Sequence, residues 1–151
     1  MSKLVNVLIV KSILDTILVA TIAVVVYLNV FPPTFHGWGE VVAGEQAISG
    51  WAVNNADPSS AVEVQLFIDG RFENNQLAVE TRPDVVAAGW AKEPWRGYTF
   101  YGPKLPPGDH EARVYALHSS GNGARYTLQL LGDPIRFRVK PDGSWTTDTH
   151  R

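Results

Sequence analysis

Cysteine is absent from the 151 residues. The chain therefore has no disulfide framework, no thiol nucleophile, no Cys-ligated zinc, no iron–sulfur cluster and no lipid-modified N-terminal cysteine. A basic excess is also lacking. The 13 Lys+Arg stand against 15 Asp+Glu, a formal net charge of −2, so no nucleic-acid partner is expected. Lys and Arg are missing altogether between Lys11 and Arg71. Catalytic patterns are missing too. The serines of Ser49-Gly50, Ser59-Ser60 and Ser119-Ser120 lack a G-x-S-x-G elbow, and no Gly-rich phosphate loop occurs. The four histidines, His36, His110, His118 and His150, show no H-x-x-x-H spacing. His110 and His118 fall on one strand about 26 Å apart, too far to share a metal. Asp57, Asp69, Asp84 and Asp109 stand at turns, where aspartates bond their own backbone. No enzymatic activity, metal site or cofactor is expected.

One long apolar run is present. Ile13 to Phe31 reads ILDTILVATIAVVVYLNVF, with Asp15 as its one charge. At about 1.5 Å per residue, a helix here spans roughly 28 Å, close to the thickness of a bilayer's hydrocarbon core. Leu4 to Val10 is apolar as well and can extend the helix along the interface. Pro32-Pro33 stops it, because proline lacks the donor N–H and disfavours helical geometry before it. A cleaved signal peptide needs small residues soon after the run, and Asn29 to Phe35 offers no such site. A buried core helix needs more surrounding protein than this chain supplies. An interfacial helix needs a polar face, which Thr16 to Leu28 does not have.

The run is therefore read as an uncleaved, single-pass transmembrane helix at 13–31, behind a short cytoplasmic segment at 1–12. Lys3, Lys11 and the α-amino group place the N-terminus in the cytoplasm and the rest of the chain on the periplasmic or extracellular side of a cell membrane. Lys11, Asp15, Tyr27, Phe31 and Trp38 are expected at the membrane interfaces, with Lys11 and Asp15 pairing on one helix face. Ser12, Thr16, Ala20 and Ala23 form a stripe of small residues that suits close packing with another helix.

After a linker at 32–44, residues 45–140 read as short strands separated by turns. Glu45 to Asn54 is one strand. In Ala61 to Asp69, Val62, Val64, Leu66 and Ile68 alternate with Glu63, Gln65 and Phe67. Asp69-Gly70 supplies a tight hairpin turn, and Arg71 to Glu80 returns, with a bulge or kink at Asn74-Asn75. Tyr98 to Tyr101 is short and buries either Tyr98 and Phe100 or Thr99 and Tyr101. Asp109 to His118 follows the Pro106-Pro107-Gly108 turn. Ala124 to Leu131 follows Gly121-Asn122-Gly123, with Tyr126, Leu128 and Leu130 on one face. The last strand buries Ile135, Phe137 and Val139 and solvates Arg136, Arg138 and Lys140. The tail, 141–151, has little apolar content besides Trp145 and is expected to be mobile or docked on a partner. About seven strands without helical periodicity favour an all-β antiparallel sandwich.

Three stretches, ISGWAV at 48–53, VEVQLFIDG at 62–70 and LPPGDHEARVYA at 105–116, resemble bacterial immunoglobulin-like and fibronectin-III-like modules. The resemblance implies a sandwich of about seven strands. His110 stands where many such modules place a corner tyrosine, and Trp51 is expected to fill the centre that a disulfide fills in antibody domains.

The segment GWAKEPWRGYTFYG at 89–102 is rich in aromatic residues interleaved with cations. Trp90, Trp95, Arg96, Tyr98 and Tyr101 are its candidate interface residues. The protein is thus expected to be a non-catalytic, membrane-anchored accessory or scaffolding subunit. Its partners would be the lipid bilayer and other membrane-protein subunits. The alternative is a cell-surface carbohydrate-binding module that stacks a glycan on Trp90 and Trp95.

Overall fold

The computed structural model describes residues 3–30, 35–120 and 122–147. Phe31, Pro32, Pro33, Gly121 and His150 lie outside the described residues. Helix α1 runs Lys3–Val30. The apolar residues from Leu4 to Val10 extend it through most of the segment 1–12, so the short N-terminal segment is helical from Lys3. Lys3–Tyr27, with mean hydropathy 2.3 and nothing buried inside the protein, is long and apolar enough to cross a membrane. The Thr16 and Thr21 hydroxyls donate to the carbonyls of Ser12 and Ile17 one turn back, each at 2.8 Å. Both hydroxyls are thereby satisfied within the helix.

Strands β1 (Phe35–Val41), β2 (Ala47–Asn54), β3 (Glu63–Ile68), β4 (Arg71–Leu77) and β5 (Glu80–Thr81) precede a single-turn helix, α2 (Pro83–Ala87). Strands β6 (Trp95–Tyr101), β7 (Gly108–Ser120), β8 (Arg125–Leu130), β9 (Ile135–Val139) and β10 (Trp145–Thr147) follow. One antiparallel sheet has the order β1-β2-β6-β5. The other has the order β10-β9-β7-β3-β4, with β8 paired to the second half of β7. The sheets enclose one core. Ile48, Ala52, Tyr98 and Phe100 from the first meet Val64, Leu66, Ile68, Val114, Phe137 and Val139 from the second. The hairpin between β3 and β4 turns through Asp69 (φ 51°) and Gly70 (φ 77°) as its sequence requires.

Three expectations are corrected. The segment 32–44 is not only a linker, because β1 lies within it and pairs along its length with β2. The residue at 145, in the expected tail, is a fully buried tryptophan stacked 4.6 Å from Phe137. Trp51 does not fill the core. The inward positions of β2 are Ile48, Gly50 and Ala52, so strand parity turns Trp51 to the outer face, half-buried. On β8 the apolar side faces outward, leaving Tyr126 and Leu128 exposed.

Glycine explains why β1 was hidden. Its inward positions are Phe35, Gly37, Gly39 and Val41. A Cβ at Gly39 would lie 2.7 Å from the Tyr98 hydroxyl, and one at Gly50 would lie 2.1 Å from the Trp38 carbonyl. The Tyr98 ring takes up that space and donates its hydroxyl to the Trp38 carbonyl at 3.1 Å.

Candidate functional site: an aromatic end of the domain

Phe35 begins β1 and opposes Asn54, the last residue of β2. Its backbone is held from the other sheet. The Gln129 side chain accepts from the Phe35 N–H at 3.1 Å and donates to the Phe35 carbonyl at 3.0 Å. One amide thus stands in for a strand at the point where the chain enters the domain. The His118 ring lies 6.3 Å from the Phe35 ring at the same level.

Residues 82–95 fold over this end. Pro83 starts α2, where its missing N–H costs nothing. The Arg82 N–H donates to the Pro94 carbonyl at 2.7 Å and the Trp90 N–H to the Val85 carbonyl at 3.0 Å, which closes the loop. Arg82 lies across the outer face. Its guanidinium donates to both Asp84 oxygens at 2.9 and 2.7 Å, and to the Gly50 carbonyl at 3.3 Å. The hydrogen bond from Arg82 and its charge hold the Asp84 carboxyl below the usual range, and Asp84 in turn raises the guanidinium. Beside this pair, Trp90 sits against Trp51 (centroids 6.0 Å) and His36 (6.2 Å, nearly parallel).

The candidate interface residues therefore divide. Trp90 and Trp95 are 56% and 55% exposed at this end. Tyr101 is exposed too, but it lies at the other end of β6. Arg96 and Tyr98 alternate inward on β6 and are not surface residues. Arg96 is 3% exposed, donates to the carbonyls of Trp95 and Pro58, and pairs with Glu93. Burial pushes the Tyr98 hydroxyl well above its ordinary pKa.

The other assigned residues lie elsewhere. Ser12, Thr16, Ala20 and Ala23 line one groove of α1, together with Lys11, Asp15, Leu8 and Val19. Tyr27 lies on the same helix, on its exposed surface. Trp38 belongs to β1, about three residues up the strand from Phe35, with half of its surface exposed.

A second polar cluster occupies the opposite end. The His110 ring bonds Asp69 Oδ2 through Nδ1 at 2.7 Å and the Pro106 carbonyl through Nε2 at 2.9 Å. Asp69 Oδ1 also accepts from the Glu111 N–H at 3.0 Å, and Arg138 grips Asp109 with two bonds. The sequence had marked His110 only as a departure from a corner tyrosine. Asp69 as its partner, and Gln129 at Phe35, carried no local signal because each pairs with a residue far along the chain. Turn aspartates 57 and 142 bond Ser59 and Ser144. Among the described residues, no group of three or more His, Asp or Glu is placed to hold a metal.

No family model matches the chain, and no curated protein matches it. A solved structure with some likeness is that of the Yersinia enterocolitica family 28 exopolygalacturonase. It is 15% identical with a TM-score of 0.35, and the match covers 71% of this chain and 20% of that one. The chain thus spans about a fifth of that enzyme's length. So low a TM-score carries no argument about fold or activity.

Proposed function

We propose that the protein is a non-catalytic accessory or scaffolding subunit of a membrane complex. Helix α1 crosses a cell membrane once, with its N-terminus in the cytoplasm. The two-sheet domain, an immunoglobulin-like sandwich, makes protein contacts on the other side. Support for the immunoglobulin-like assignment comes from the single core between antiparallel sheets and from the bond between His110 and the Pro106 carbonyl. That bond reproduces the backbone tie of a corner tyrosine with a different ring.

The observation that carries the proposal is the groove on α1. Its charged residues, Lys11 and Asp15, share one face with the small residues Ser12, Thr16, Ala20 and Ala23. Small side chains at this spacing let another helix come close, and a partner helix on this face would meet Lys11 and Asp15 at its interfacial end.

The test compares Ala20→Phe with Leu18→Phe, which lies off the stripe. Both full-length variants are extracted from native membranes in mild detergent and sized by native electrophoresis. The expected outcome is a complex larger than the monomer that survives Leu18→Phe and is lost in Ala20→Phe. A wild-type monomer with no companion protein counts against the proposal.

A carbohydrate-binding module remains the second reading, favoured by Trp90. Its ring rests on Trp51 and His36 while more than half of its surface is open, as a sugar-stacking platform requires. Glycan-array binding that disappears in Trp90→Ala supports this alternative, and a blank array rejects it.

A further inference from the structure

Strand register places exposed apolar side chains on both outer faces of the domain at one level, the level of Phe35. On the first sheet, Trp95 opposes Thr81, two residues beyond the Gly97 that opposes Trp51, which brings it within about one residue of the Asn54–Phe35 pair. Trp90 covers His36 and Trp51 on the same face. On the second sheet, Leu77 opposes Glu63, Glu63 opposes Leu117 and Leu117 opposes Leu128, forming one row across four strands. Tyr126, 63% exposed, lies two residues further towards the same end, opposite Ser119. The result is a rim around one end of the domain rather than a patch on one side.

That end is also where the chain arrives from α1. Five Cα–Cα steps separate Val30 from Phe35, so the rim begins no more than roughly 18 Å from the end of the helix. We infer that the rim bearing Trp90, Trp95, Leu77 and Tyr126 rests in the headgroup layer of the bilayer that α1 spans, so that the ligand of this surface is a lipid membrane. The inference depends on the transmembrane placement of α1 proposed above. A protein partner docking on one sheet would have no use for apolar groups on the opposite sheet at the same height, whereas a plane meets all of them together. Tryptophan and tyrosine are the residues that favour this layer, with an apolar body and a polar N–H or O–H. Lys92 and Arg125 are exposed at this end alongside Asp57 and Glu93, so the surface suits a zwitterionic lipid with no demand for anionic headgroups.

The cysteine-free sequence makes the test direct. Full-length Lys92→Cys, Arg125→Cys, Lys104→Cys and Leu18→Cys are spin-labelled and placed in phosphatidylcholine nanodiscs. Relaxation by a water-soluble nickel chelate is compared with relaxation by oxygen, which concentrates in lipid. The expected result is nickel accessibility several-fold lower at 92 and 125 than at 104. Adding Trp90→Ala and Trp95→Ala should raise it toward the value at 104. Equal accessibility at 92, 125 and 104, with Leu18→Cys in lipid, overturns the inference and leaves the transmembrane placement standing. An aqueous Leu18→Cys overturns the transmembrane placement, and the inference falls with it. Protection at 92 and 125 in native membranes but not in pure lipid means that a protein covers the rim, which also overturns the inference.

Discussion

His110 faces an acceptor from each ring nitrogen, Asp69 on one side and the Pro106 carbonyl on the other. Only the doubly protonated ring can donate to both. Burial pulls its pKa down, but the Asp69 bond, the Pro106 carbonyl and the charge of Asp69 outweigh burial, and the net shift is upward. For Asp69 the balance is similar. Desolvation raises its carboxyl, while the bonds from His110 and the Glu111 N–H bring it below its ordinary value. The sign follows from linkage. A raised histidine pKa contributes stability that is complete below the unfolded value, near 6.5, and fades as pH climbs through the folded value. The lowered carboxyl requires pH above its own range, so the pair is strongest in mildly acidic solution. Replacing His110 with Phe keeps the ring against Phe137 and removes both bonds. The melting-temperature gap between wild type and His110→Phe, measured in detergent micelles, should be wide near about pH 5 and narrow by about pH 8. A gap that is flat or widens with pH rejects this account. In the sequence, His110 was readable as a structural residue in a special position. Its carboxylate partner was not, because the bond closes two turns that are distant along the chain.

At the scale of elements, strands announced themselves where inward side chains alternate with polar ones. Strands β3 and β9 follow their sequence pattern, with Val64, Leu66, Ile68, Phe137 and Val139 buried. The same rule hid β1, whose inward positions include two glycines made necessary by the close backbone of β2 and by the Tyr98 ring. It left open which way the apolar side of β8 faces, and on this strand, paired to β7, Tyr126 and Leu128 are exposed. The extra residue in β4 falls at Glu73, between the partners of Leu66 and Phe67, one residue before the expected Asn74-Asn75. Gln129 shows how an edge strand is held without a neighbour. Gln129→Leu leaves the N–H and C=O of buried Phe35 without the Gln129 partner and should destabilise the domain by about 1–3 kcal/mol. Urea midpoints give that figure, and hydrogen exchange at the Phe35 amide should accelerate more than at Val64 in the middle of β3. Unchanged exchange at Phe35 would show that the side-chain clamp does not secure β1.

For the whole molecule, orientation rests on charge alone: Lys3 and Lys11 stand before the apolar run, and no Lys or Arg follows until Arg71. Single cysteines turn this into an observation. In sealed right-side-out membrane vesicles, an impermeant maleimide should label Lys104→Cys at once and Lys3→Cys only after lysis. The reverse pattern would invert the proposed topology. The two-layer architecture was visible in the sequence because hydrophobic alternation and turn residues report it locally. The closure of the domain was not visible, since it depends on a single ring. Trp145 fits over Gly102, where a Cβ would lie 2.0 Å from its ring, and stacks on Phe137. The Gly44 N–H reaches the Trp145 carbonyl, and Gln46 donates to the Gly143 carbonyl, so the loop after β1 is tied to the turn before β10. A ribosome delivers β1 early and Trp145 last among the core residues. The core that its ring completes can therefore close only once synthesis has passed residue 145.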